Sequence, residues 1–63
     1  MISLIDGGFS IDGFELHPVA IDRDVIQWRV SGLENGYWML QYVTFRLEDA
    51  VRWIQENAVV AED

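Results

Sequence analysis

Cysteine and lysine are both missing from this 63-residue sequence, and histidine and proline occur once each. Without cysteine there can be no disulfide and no thiolate metal site. Without lysine there is no phosphate-binding loop, and Gly7-Gly8 and Gly13 do not stand in a glycine-rich run ahead of a helix. The lone His17 has no nucleophile to serve, because Ser3, Ser10 and Ser31 sit in no elbow or related context. Asp22 and Asp24 flank Arg23, but the spaced acids, central glycine and terminal glutamate of a calcium loop are absent. The stretch Asp6 to Gly13 fails the same test, and these residues read as turn aspartates whose side chains bond the local backbone. No catalytic, cofactor-binding or metal-ligating residue is therefore expected, and the protein reads as a non-enzyme. Long apolar runs are missing too. The longest span four residues, Tyr37 to Leu40 and Ala58 to Ala61, far short of a membrane crossing. With no basic region leading into an apolar run at the N-terminus, the cytoplasm is the expected compartment.

What is present is apolar mass and negative charge. The chain is 51% hydrophobic, with three tryptophans, three phenylalanines and two tyrosines, enough for one small domain spanning residues 1–63. So much apolar material in so short a chain is also compatible with a homodimer. Eleven acidic residues face four arginines, a net charge of −7. A fold does not require that imbalance, since self-repulsion works against compaction. It serves solubility, or it matches a partner with a basic surface. Direct binding to nucleic acid is not expected because nothing would neutralise a run of phosphates, and anionic membranes are disfavoured for the same reason.

The spacing of turn residues predicts an α+β fold: an antiparallel β-meander of three to five strands with one C-terminal α-helix packed on one face. Asp6-Gly7-Gly8, Asp12-Gly13, Asp22-Arg23-Asp24 and Gly32 to Gly36 punctuate apolar runs, and Asp-Gly is a strong hairpin signal. Strands are expected at about 2–5, 9–11, 14–21, 25–31 and 37–45. The near-repeat Ile5-Asp6-Gly7 and Ile11-Asp12-Gly13 reads as two turns of one type. Pro18 lacks an amide donor, so its strand is expected at an edge or bulged there. The parity of Phe14 and Leu16 against Val19 and Ile21 suggests an inserted residue. Ile26, Trp28 and Val30 alternate with polar neighbours. The last strand has no polar face, with Met39, Val43 and Phe45 on one side and Trp38, Leu40 and Tyr42 on the other, so it is expected to be central or covered on both sides.

The helix is expected from about Leu47. Glu48 and Asp49 lie in its first turn, where the dipole favours negative charge, and Leu47, Ala50, Val51, Ile54 and Ala58 form an apolar stripe bordered by Trp53. Glu48 and Arg52 are spaced for an i,i+4 pair, Asn57 marks the end, and Val59 to Asp63 reads as a fraying tail.

One helix covers one face of a sheet, so the second face is either closed by the N-terminal segment (Ile2, Leu4, Ile5, Phe9) or left as an aromatic interface. Candidate contact residues are Trp38 and Tyr42, or Met39 and Phe45 in the other register, with Trp28 beside them. Asp22, Asp24, Glu34, Glu48, Asp49 and Glu56 supply carboxylates around it. The overall profile is a tiny, acidic, cysteine-free meander ending in Leu47-Glu48-Asp49-Ala50-Val51-Arg52-Trp53-Ile54. It resembles the small phage and mobile-element proteins that act as anti-CRISPR inhibitors. That resemblance is compositional, spans the chain and carries no motif. It implies an acidic DNA mimic that occupies a basic nucleic-acid-binding surface of an effector complex. The alternative is a structural or adaptor module that binds a protein through its aromatic sheet face.

Overall fold

The computed structural model describes residues 2–58. Five strands, β1 (Ile2–Ile5), β2 (Gly8–Ile11), β3 (Phe14–Asp22), β4 (Val25–Glu34) and β5 (Tyr37–Thr44), precede one helix, α1 (Leu47–Asn57). The strands form a single antiparallel sheet in the order β1-β2-β3-β4-β5, each paired with its neighbour in sequence. The α+β meander with one helix is thus the observed architecture. The expected fraying of Val59 to Asp63 lies outside the described residues.

Tight turns set this topology. Asp12 and Gly13 both have positive φ, as do Asn35 and Gly36, the backbone of a type I′ hairpin turn whose twist matches the flanking strands. Asp6-Gly7 differs. There only Gly7 has positive φ, the type II arrangement, so the two Ile-Asp-Gly segments do not form turns of one type. At the β3–β4 turn Asp22 pairs with Val25, and the Arg23 amide donates to Asp22 Oδ1 at 2.7 Å, the local bond expected of a turn aspartate.

Directly opposed residues of an antiparallel ladder share a face. The row Phe9-Leu16-Val30-Tyr42 runs across four strands on one face, and α1 lies on that face. Ile11, Leu16 and Val30 from the sheet and Ala50 and Ile54 from the helix are the buried apolar residues. Phe9, Phe14, Trp28, Tyr42, Val51 and Trp53 pack against them. Trp53 is held between two rings, stacked on Tyr42 (centroids 5.3 Å apart, planes 9° from parallel) and edge-on to Phe14 at 5.5 Å. Trp28 and Tyr42 therefore belong to the helix side, not to an outer face.

Several expectations are corrected. β4 runs through Gly32 to Glu34, so Gly32 is a strand residue and not a break. A Cβ there would lie about 2.9 Å from the Gln41 side-chain amide; glycine leaves the room that Gln41 fills. β3 is internal, yet β2 pairs with it only as far as Leu16. Pro18, which pairs with Trp28 on the other side, thus faces a flank with no strand among the described residues, and its missing amide breaks no ladder. The bulge in β3 falls at Ile21, between Ala20 and Asp22, so Val19 stays on the face opposite Leu16. The N-terminal segment does not close over the second face. β1 and β2 extend the same sheet, with Ile2 paired to Ile11 and Leu4 to Phe9 on the helix side.

The helix begins without a side-chain cap at Arg46; the Asp49 and Ala50 amides both donate to the Arg46 carbonyl at 3.2 Å. Arg46 Nε donates to Glu48 Oε1 at 2.8 Å and lies 3.8 Å from Asp49, while Arg52 lies 3.7 Å from Asp49. The expected Glu48–Arg52 pair is thus replaced by Glu48–Arg46 and Asp49–Arg52. At the far end the Ala58 amide donates to the Ile54 carbonyl at 2.7 Å, satisfying one of the carbonyls a helix C-terminus leaves open, and Asn57 Nδ2 donates to the Trp53 carbonyl at 2.8 Å.

Candidate functional site: the open face along the last strand

β5 is an edge strand. This reverses the expectation that it would be central, which rested on its apolar side chains pointing both ways. Its register holds a second bulge, and that bulge defines the surface. Tyr42 pairs with Val30 but Leu40 pairs with Ser31, leaving Gln41 as the extra residue. A one-residue insertion shifts every side chain beyond it to the other face. Gln41 and Tyr42 consequently both point to the helix side, with Gln41 lying over Gly32. Trp38, paired with Leu33, Leu40, paired with Ser31, and Val43, paired with Arg29, all lie on the open face. Neither alternating register combines these three. The bulge draws one member from the set opposite Trp38 and Leu40, and it removes Tyr42.

The result is a half-exposed apolar stripe of Leu33 (57% exposed), Trp38 (49%), Leu40 (56%) and Val43 (39%), continued by Phe45 just past the strand. No charged residue occurs from Tyr37 to Phe45. The charge nearest the stripe by pairing is Arg29, opposite Val43, whose Nε donates to Gln27 Oε1 at 2.8 Å. The rest of this face, on β2 and β3, is polar: Ser10 pairs with Glu15, and His17 stands beside Glu15. His17 Nε2 lies 3.1 Å from Glu15 Oε1, and Nδ1 lies 3.2 Å from the Gly7 carbonyl oxygen. Those contacts tie the first turn to β3 and give His17 an architectural role.

The candidate carboxylates are not gathered into one patch. Asp22 and Asp24 sit at one end of β4 and Glu34 at the other, roughly 30 Å apart at the rise of a strand. Glu48 and Asp49 occupy the first turn of α1, and Glu56 lies two turns further on, roughly 12 Å along the axis. The hydrogen bond that Arg46 donates to Glu48, followed by the charges of Glu48 and Asp49, raises the Arg46 guanidinium pKa above its ordinary value, so part of the helix's acidity is answered within the chain. Of the expected aromatic contacts, Trp38 is on the open face and Tyr42 is stacked inside. Leu33, Leu40 and Val43 were missed, and the signal for them was the uncharged run 37–45 next to a glycine-bearing strand.

Among the described residues no cluster of three His, Cys, Asp or Glu side chains is placed to hold a metal ion, and no helix is long and apolar enough to cross a membrane. Comparison with models of protein families, with curated proteins and with solved structures finds no match.

Proposed function

We propose that this protein is a non-catalytic binding module, acting in the cytoplasm, that docks a protein partner through the open sheet face of Leu33, Trp38, Leu40, Val43 and Phe45. The observation that carries this reading is the Gln41 bulge, which aligns Trp38, Leu40 and Val43 on the face α1 does not cover. A contiguous apolar strip with a central tryptophan is the usual anchor of a protein interface. The exposed acids Asp22, Asp24 and Glu34 at the two ends of β4 favour a partner whose apolar patch carries a basic rim.

The second reading is the acidic inhibitor that occupies a basic nucleic-acid-binding groove, as the anti-CRISPR resemblance implies. It draws on the charge of −7 and on the exposure of Asp22, Asp24, Glu34, Glu48 and Glu56. The dispersal of these groups and the pairing of Glu48 and Asp49 with arginines give it less support.

Capture of binding proteins on the immobilised chain separates the two. Under the first reading Trp38→Ala and Leu33→Ala abolish capture, and complexes survive about 0.5 M salt, where exposed charges are screened within a few ångströms. Under the second reading capture collapses with salt and with the triple reversal Glu48→Lys, Asp49→Lys, Glu56→Lys, whereas Trp38→Ala has little effect. That second pattern would refute the docking reading.

A further inference from the structure

We infer that β5 is also a self-association edge, along which two copies of this chain pair antiparallel to form a continuous ten-stranded sheet. This goes beyond the proposed contact face, because it uses the outer edge of β5 and leaves that face open.

Three observations lead there. First, the edge is undefended. An exposed edge strand presents alternate unpaired N–H and C=O groups and is normally blunted by shortness, proline, charge or a bulge. The opposite edge, β1, is short, with four residues; β5 has eight, with neither proline nor a charge. Its one protective device is the bulge at Gln41, which leaves an unbroken ladder from Tyr37 to Leu40.

Second, the charge pattern permits a copy of itself and few other surfaces of this chain. Two bodies of net charge −7 repel, so a self-complementary contact requires a stretch free of acids. The segment Tyr37–Phe45 is such a stretch.

Third, the monomer is thinly cored. Among the described residues five hydrophobic side chains are buried while thirteen large hydrophobics are exposed, five of them (Tyr37, Trp38, Met39, Leu40 and Val43) on β5 itself. Domains of this size without disulfide or metal commonly gain stability from a second subunit.

Edge pairing is favoured over stacking of the two open faces because the β2–β3 half of that face carries Ser10, Glu15 and His17, which stacking would bury. Paired edges leave that half in water and set two apolar stripes side by side across the dyad.

Sedimentation velocity on the full chain, at about 1 μM to 1 mM, tests the inference. A dimer is expected, and its affinity should rise with added salt as the repulsion between copies is screened. That is the opposite sign to binding of a basic-rimmed partner. Leu40→Lys puts a charge on the pairing edge and like charges beside each other across the dyad, and should weaken association on the order of 10-fold. Leu4→Lys, on the other edge, should leave it unchanged, with circular dichroism confirming that both variants fold. A wild-type chain that stays monomeric throughout would overturn the inference, as would a dimer that Leu40→Lys leaves intact or that Leu4→Lys dissolves. A monomer that still captured partner in a Trp38-dependent way would leave the docking reading standing and remove only this one.

Discussion

Replacing Leu16 by alanine tests the account of the core most directly. Leu16 is 1% exposed and lies at the centre of the row Phe9-Leu16-Val30-Tyr42, in one cluster with Ile54 and Ala50 of the helix. The change deletes three carbons, about 2.4 kcal/mol at about 0.8 kcal/mol per buried methylene. Flanking strands held by backbone ladders have little freedom to collapse, so a residual cavity adds to this, at about 24 cal/mol per Å³. A total of about 3–4 kcal/mol follows. At about 0.05–0.15 kcal/mol per residue the whole domain holds only roughly 3–9 kcal/mol. Urea denaturation followed by tryptophan fluorescence measures the loss. With a slope of about 1 kcal/mol per M, the midpoint should fall by about 3 M, or the variant should be unfolded without denaturant. Leu4→Ala is the control, since Leu4 is 81% exposed and should stay within about 0.5 kcal/mol of wild type. A Leu16→Ala loss below about 1 kcal/mol at unchanged slope, or an equal loss in both variants, would refute the packing described here.

Other outcomes follow from particular contacts. Gly8→Ala should be among the most damaging substitutions, because a Cβ at that position would collide with the Leu16 carbonyl oxygen. Thermal unfolding should show a loss of several degrees or no cooperative transition. Gly36→Ala meets no atom within 4 Å but imposes a side chain at φ +83°, so chemical denaturation should show about 1–2 kcal/mol of destabilisation. Arg46→Ala removes ion pairs whose arginine is 70% exposed. Screening and side-chain entropy leave such exposed pairs worth little, and its melting curve should nearly overlay the wild type's. Trp53→Ala takes away the ring shared by Phe14 and Tyr42; near-ultraviolet circular dichroism should lose most of its aromatic signal while the far-ultraviolet sheet signal persists.

The meander could be read from the sequence because its determinants are local. Asp12-Gly13 and Asn35-Gly36 dictate their turns through backbone conformation alone, and Leu47 with Glu48 and Asp49 announces the helix. The contact surface could not be read so easily. Side-chain direction along a strand is a running parity, and one extra residue at Gln41 inverts it. Nothing about Gln41 itself reveals the insertion, which depends on Gly32 across the ladder vacating the space that Gln41 fills. Apolar residues on both sides of β5 suggested burial on both sides, whereas the strand is an uncapped edge. Gly32 was misread for a related reason, since a glycine that ends a strand and one that admits a neighbour's side chain look the same in one dimension. The salt links of the helix shifted by one partner because Arg46, just outside it, competes for Glu48.

The order of elements has a consequence in time. Every strand pairs with the strand next to it in sequence, so hairpins close in microseconds as soon as their residues are available. The helix that covers Phe9, Leu16, Val30 and Tyr42 follows all five strands. A chain whose sheet forms before the helix docks has apolar residues on both faces and an unguarded edge, so that stage of folding exposes it to aggregation more than the finished fold does.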